Sequence, residues 1–238
     1  MVNQTNEQTI RCFSTAPFAC SYLPRHEARN LIIDPAVPLS SSLLGTLLNT
    51  GFRRSGQHLY RPDCQQCQSC IPVRLESRHF KPSRSQRRNW RQNSELIHQT
   101  TVGFSDEQFE LYKKYIDTRH SDSNMANPSV KEYIGFLTAS GVDTRFHEFR
   151  LKDQLIAVAV TDHTPLGLSA VYTFYHPDFQ QRALGIYAIL WQIHHAQQLE
   201  LPWVYLGYWI KECDKMSYKN RFQPSQGYYE RRWQQLTD

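Results

Sequence analysis

The tightest constraint on this 238-residue chain is the order of its apolar segments between Phe146 and Tyr208. Phe146–Leu151, Leu155–Thr161 and Leu168–Tyr175 read as three strands, joined by the short turns Lys152-Asp153 and Thr164-Pro165-Leu166-Gly167. A helix follows over Leu184–Leu199, with Ile186, Ile189, Leu190 and Ile193 on one face. Pro202 ends it, and Trp203–Tyr208 forms a last strand of aromatic and branched residues. Short turns force the first three strands into an antiparallel meander, whereas the helical crossover lets the last strand run parallel to Leu168–Tyr175. The expected fold class is therefore α/β.

The first hundred residues have a different character. Ser40 to Thr50 places leucines at helical spacing before Gly51, a helix stop, and the chain then turns towards a short strand near Tyr60. Cys64, Cys67 and Cys70 follow at two-residue spacing. Between Arg74 and Arg91 lie Arg74, Arg78, Lys81, Arg84, Arg87, Arg88 and Arg91 against the single acid Glu76, interleaved with His79, Phe80 and Trp90. Charge mixed with stacking surfaces suits a polyanion, though a solvated basic face has the same composition. Residues 1–20 read as a poorly ordered lead-in, and two parts are expected: an N-terminal lobe over 1–100 and a catalytic domain over 101–238.

Within residues 101–238, helices are expected from Ser105-Asp106 and from Ser129, the second stopping near Gly141. The polar stretch from His120 to Pro128 between them is a candidate substrate-facing loop. No apolar run approaches the roughly 20 residues that span a bilayer. Met1 to Arg11 is polar and includes Glu7, unlike a signal peptide, so a cytoplasmic protein without membrane partners is expected. Six cysteines in a chain of this size then read as reduced thiols rather than a disulfide framework.

The turn into the Leu184 helix carries Arg182-Ala183-Leu184-Gly185-Ile186-Tyr187, an Arg-x-x-Gly-x-Tyr run. Set after this strand order, it resembles the pyrophosphate loop of the GNAT-type N-acyltransferases, where helix-start amides bind phosphate. Tyr187 replaces a small residue and is expected to crowd that approach, which weighs against coenzyme A. The resemblance implies a GNAT-like N-acyltransferase fold preceded by a smaller cysteine-containing lobe.

Longer stretches extend the comparison. They include Gly51-Phe52-Arg53-Arg54-Ser55-Gly56, Tyr60-Arg61-Pro62-Asp63-Cys64 and Phe80-Lys81-Pro82-Ser83-Arg84-Ser85-Gln86-Arg87-Arg88. Gly167 to Tyr175, Leu206-Gly207-Tyr208-Trp209-Ile210 and Lys215-Met216-Ser217-Tyr218-Lys219 continue it in the same order. Together they resemble the bacterial aspartate/glutamate leucyltransferases within the arginyl-tRNA–protein transferase family. The resemblance implies transfer of leucine from leucyl-tRNA to the N-terminal amine of proteins beginning with Asp or Glu, which marks them for degradation (the N-end rule).

That chemistry needs an activated ester held against an amine, and little else. Arg74, Lys81, Arg84, Arg87, Arg88 and Arg91 are candidates for tRNA or for the acidic acceptor, joined by Lys215 and Lys219 near the last strand. Val160, Tyr172 and Phe174, or residues of alternate parity along that strand, are candidates for a leucyl slot. Tyr172, Tyr175, Tyr205 and Tyr208 are candidates to align the donor. Asp162, His163 and Glu148 are candidate proton acceptors, with a tRNA ribose hydroxyl as the alternative. No cofactor is required, although Cys20, Cys64, Cys67 and Cys70 offer a thiolate set for zinc or an iron–sulfur cluster, with Arg74 standing where a ferredoxin run continues in cysteine. Two other classes stay open: an acyl-CoA-dependent N-acetyltransferase, and a metal- or redox-sensing RNA-binding module built on the cysteine loop.

Overall fold

A computed structural model describes residues 10–119 and 126–236. The chain begins with β1 (Cys12–Ser14), β2 (Phe18–Ala19), β3 (Glu27–Ala28), β4 (Asn30–Ile33), α1 (Ser41–Leu48), β5 (Arg53–Ser55), β6 (His58–Pro62) and β7 (Ile71–Glu76). Next come α2 (Arg84–Gln92), β8 (Ile97–Thr101), α3 (Asp106–Arg119) and α4 (Val130–Leu137). The meander is β9 (Asp143–Leu151), β10 (Gln154–Thr164) and β11 (Gly167–Tyr175), followed by α5 (Leu184–Gln198) and β12 (Trp203–Trp209). The chain closes with α6 (Asp214–Ser217), β13 (Ser225–Tyr229) and β14 (Arg232–Gln235).

Eight strands form one mixed sheet in the order β14-β13-β7-β12-β11-β10-β9-β8. The mixed α/β class is as expected, and β11 and β12 are its parallel pair. Strands from both sides of residue 100 share this sheet, because β7 is inserted between β12 and β13. A four-stranded sheet, β1-β4-β6-β5, and the β2-β3 pair complete the strands described. The lead-in is thus partly built: Cys12–Ser14 pairs with Leu31–Ile33, since backbone groups of an edge strand find partners there.

Alternation along the strands assigns the two faces of the sheet. Phe149, Ala157, Ala159, Leu168, Val204 and Leu206 lie on the face covered by α5, with Trp90 of α2 and Phe80 of the segment before it packed against the same cores. Phe146, Val158, Val160 and Phe174 lie on the opposite face, under α3 and α4. Helix α1 and the small sheet continue that second layer around Leu44, Leu48, Phe52 and Tyr205. Serine boxes fix the two helices that start from polar runs. Ser83 Oγ accepts from Gln86 N while the Gln86 side chain returns to Ser83 N, and Ser129 and Glu132 make the same box at α4. Helix α4 stops at Leu137, before the expected Gly141, because the chain turns extended at Thr138. Most of the polar loop after α3, residues 120–125, lies outside the described residues.

Candidate active site

Parallel pairing between β11 and β12 lasts only from Gly167–Ser169 against Trp203–Tyr205. Beyond it β12 keeps only its other edge paired, with β7, across a register break between Tyr205 and Gly207, while β11 runs on to Tyr175 beside β10 alone. From Ala170 onward, one edge of β11 is therefore open to a split between the two strands.

Arg53 occupies the root of that split. Its Nη1 donates to Ser169 Oγ at 3.1 Å and its Nη2 to the Ala170 carbonyl at 2.6 Å. A Cβ on Gly207, where φ is +80°, would stand 3.1 Å from the Arg53 Cζ, so only glycine lets β12 come this close to the guanidinium. Lys219 approaches from the other side, its Nζ donating to the Tyr208 carbonyl. Burial, and then the charge of Arg53, pull the Lys219 ammonium down to about 7. The Arg53 charge also reaches the Tyr22, Tyr60, Tyr208 and Tyr218 hydroxyls, all of which burial pushes upward. Two basic groups, Arg53 and a Lys219 poised near neutrality, thus meet a ring of phenols at an open strand edge.

A cavity of about 810 Å³ is lined by Tyr22, Tyr60 and Tyr208 together with Cys20, Cys64, Cys67 and Cys70. The Tyr208 hydroxyl lies 3.1 Å from the Gly51 carbonyl and 3.2 Å from that of Tyr60, fixing the wall. Burial, followed by repulsion from the Cys20, Cys64 and Cys67 thiols, pushes the Cys70 thiol up to about 12. Cys20, Cys64 and Cys67 thus lie close enough to act on Cys70 through their charge. The ligand atoms that converge within 4.8 Å among the described residues are histidines and not these thiols, so a metal held by Cys20, Cys64, Cys67 and Cys70 would require the loop to draw together. Cys12 is exposed and stands apart from the cavity lining.

The basic segment borders the opening. Gln86 in the first turn of α2 donates to the Arg221 carbonyl at 3.0 Å, two residues beyond Lys219. Asn89 of the same helix donates to the Arg182 carbonyl at 2.8 Å, next to the start of α5. Lys81, Arg84, Arg87, Arg88 and Arg91 are exposed on the outer side. Between α2 and α5 a second cavity of about 420 Å³ is lined by Arg87, Trp90, Arg91 and His194. Arg74 does something else. Its guanidinium is sandwiched between the Trp203 and Trp233 rings, 3.6 and 4.2 Å from their centroids, with Gln226 and Asn49 as partners. Because β7 is internal to the sheet, Arg74 packs as a buried stacking element rather than facing a polyanion.

The proposed proton acceptors lie away from the split. Asp162 is fully buried and forked by Arg54, at 2.7 Å to Nε and 2.6 Å to Nη2, and it accepts from Thr144 Oγ1 at 2.7 Å. Both of its oxygens accept bonds inside the fold, which makes it a structural partner of Arg54. Glu148 is held by Arg150 and Gln108 near α3. His163 lies on the α5 face, against His147. Val160 and Phe174 are fully packed core under α3, and the buried Tyr172 hydroxyl has no hydrogen-bond partner among the described residues. Tyr175, by contrast, stands at the open end of β11, accepting from Arg119 at 2.9 Å, and Lys215 is exposed on α6. Tyr187 does not crowd the start of α5: its ring is buried against Trp90 and Phe149, at 5.5 and 5.2 Å.

Sequence reasoning missed Arg53 as a site residue. Its signal was the Arg53-Arg54 doublet on a strand of three, because alternation must send the two guanidinium groups to different places. Arg54 goes to Asp162 and Arg53 to the split.

This geometry can be set beside known proteins. Residues 18–88 match the family model described as arginine-tRNA-protein transferase, N terminus, and residues 107–229 match that of the C terminus. The aspartate/glutamate leucyltransferase of Pseudomonas fluorescens (strain Pf0-1) is 48% identical over 225 residues, 94% of this chain and 96% of that protein. The Pseudomonas aeruginosa (strain LESB58) protein of the same name is 47% identical over 229 residues, 96% of this chain and 97% of its own. Among solved structures, the C-terminal domain of a putative lysylphosphatidylglycerol synthetase from Agrobacterium fabrum aligns with a TM-score of 0.47 at 10% identity. That alignment takes in 70% of this chain and about half, 51%, of the other. By its relatives the protein is a transferase. The chain belongs to the arginine-tRNA-protein transferase family, and the resemblance drawn from its motifs is borne out.

Proposed function

We propose that this chain transfers leucine from leucyl-tRNA to the N-terminal amine of proteins that begin with aspartate or glutamate, marking them for degradation in the cytoplasm. The observation that carries this reading is the Arg53 guanidinium at the root of the β11–β12 split. An acceptor with an acidic first residue needs a fixed cation close to the reacting amine, and a guanidinium fork meets a carboxylate well. The ester of leucyl-tRNA is already activated, so the site's task is to align it with that amine along the open edge of β11. Lys219, poised near neutrality, can take up the proton that the attacking amine loses.

In this reading residues 1–100 supply Arg53, the cysteine loop and the basic helix, while residues 101–238 supply a GNAT-type acyl-transfer unit. The meander, the α5 crossover and the parting parallel strands support that assignment. Exposed arginines of α2 and the groove holding Trp90 support a tRNA end that runs from the split across the start of α5. If the four thiols hold zinc or a cluster, it fixes the cavity wall and lies outside the chemistry.

The test is transfer of labelled leucine from leucyl-tRNA to peptides that differ only in their first residue. Asp- and Glu-peptides are expected to be labelled and an Ala-peptide not. Failure with all three rejects the reading, and labelling from acetyl-CoA instead would reassign the site to an acetyltransferase.

A further inference from the structure

Three histidines on the α5 face of the sheet are used by nothing described above. His147 comes from β9, His163 from β10 and His195 from α5, and their ring nitrogens all lie within 4.8 Å of one another. The ring centroids make a nearly equilateral triangle, at 5.7, 5.4 and 5.6 Å. His147 Nε2 is 3.5 Å from His163 Nε2. His195 Nε2 is buried without a hydrogen-bond partner among the described residues. From these contacts we infer that His147, His163 and His195 form a binding site for a borderline divalent cation of the zinc type, cross-linking β9, β10 and α5.

The spacing is what such an ion requires. Zinc bonds of about 2.0–2.1 Å to imidazole in tetrahedral geometry hold the ligand nitrogens about 3.4 Å apart and the ring centres about 5 Å apart. A pair of imidazole nitrogens at 3.5 Å makes a poor hydrogen bond, because neither ring gains the short linear contact that a donor and an acceptor prefer. An ion between them would instead use both lone pairs, and the orphaned one of His195.

The far sides of the rings are oriented for this. His147 Nδ1 lies 3.2 Å from Thr100 Oγ1 and 3.3 Å from His98 Nε2, which leaves Nε2 to face its neighbours. Gln198 engages the other side of His195, and Trp191 stacks on it, with centroids 4.7 Å apart. Partners of this kind fix ligand tautomers in known metal sites. Burial first, then the neighbouring histidines and Arg145, hold all three imidazoles below the ordinary histidine value. Arg145 is the cation nearby, and its charge is met by a bidentate pair with Asp143 at 3.0 and 2.8 Å. Three imidazoles leave one tetrahedral position for water.

Cobalt(II) added to the full-length protein tests the site, since its visible bands report tetrahedral nitrogen ligation and a near-ultraviolet charge-transfer band reports thiolate. We expect one equivalent with visible bands that survive in the Cys64→Ser/Cys67→Ser variant. Affinity should drop at least about 100-fold in His195→Asn and in His163→Asn. Thr100→Val should weaken binding about 10- to 100-fold through the orientation of His147 alone. Circular dichroism checks that each variant is folded, and His195 on the helix surface is the substitution least able to disturb the sheet. Absence of visible bands at excess cobalt overturns the inference. So do bands lost with the cysteines and kept in both histidine variants. Leucine transfer is not the readout, so failure here leaves the proposed activity standing.

Discussion

Arg53 and Arg54 are adjacent in sequence and opposite in consequence. Removing Arg53 in an Arg53→Ala variant takes away the fixed cation of the split, and bonds to charged groups are worth about 1.5–3 kcal/mol each. Transfer to an Asp-peptide should therefore lose about 10- to 100-fold in kcat/KM, while Arg53→Lys recovers only part, because an ammonium cannot span Ser169 and Ala170. Steady-state kinetics decide it, and a loss below threefold removes Arg53 from the site. Asp162→Asn acts on stability instead. It leaves the buried Arg54 without its counter-charge, which costs about 3–5 kcal/mol. A urea melt should show this; unaltered stability with lost turnover would return Asp162 to the chemistry. Lys219 makes a pH prediction. Its folded value of about 7 lies below the free value of 10.5, so between those pH values the unfolded chain binds the extra proton and stability rises with pH. The slope approaches about 1.4 kcal/mol per pH unit and should flatten in Lys219→Met, as read from melts between pH 7 and 10. None of this was legible from residue types. Asp162 and Lys219 were both named as candidates, yet a carboxylate forked by arginine and an ammonium beside one differ only in partners far away along the chain.

Among the elements, the meander, α5 and β12 were readable because period and turn residues agreed over long runs. Ser129 likewise announced a helix whose capping box the structure contains, whereas the box that Ser83 makes at α2 was not read from the sequence. Parallel pairing of β11 with β12 was expected from the helical crossover, but not where the two strands part. That point is set by the break before Gly207, where the chain adopts φ +80° beside the Arg53 guanidinium. Gly207→Ala asks for a left-handed alanine and drives a methyl towards that group. It should cost about 1–2 kcal/mol in stability and lower kcat/KM for acidic peptides alongside. Calorimetry together with the transfer assay checks both, and a variant with full activity would show that Arg53 tolerates displacement. β7 was illegible as a core strand: its arginine suggested a surface, and only Trp203 and Trp233, from other strands, make Arg74 an interior residue.

At the scale of the molecule, the two readings that composition could not separate were a solvated basic face and a surface for tRNA. The fold divides the basic segment between them. Arg74 is withdrawn into the sheet, while Arg84, Arg88 and Arg91 stay exposed on α2, whose polar inner residues Gln86 and Asn89 clamp it between Arg221 and the turn before α5. A helix anchored at both ends presents its charges in fixed register beside the split, which a merely solubilising face would not need. Each phosphate neutralised by such a charge releases counterions, giving a slope of log affinity against log salt of about −0.7 per contact on single strands and about −0.9 on duplex. Arg84→Gln, Arg88→Gln and Arg91→Gln should each weaken leucyl-tRNA binding and make that slope shallower by up to about one unit. KM for the acidic peptide should stay unchanged, because the proposed acceptor contact is Arg53 and not α2. Arg74→Gln should behave oppositely, lowering stability through the lost stacking on two tryptophans without changing the salt slope. Filter binding of charged tRNA across a salt series separates these outcomes: slopes equal to that of the unsubstituted protein in all three α2 variants would leave the basic helix a solvated face and require the tRNA to enter from the cysteine side of the split.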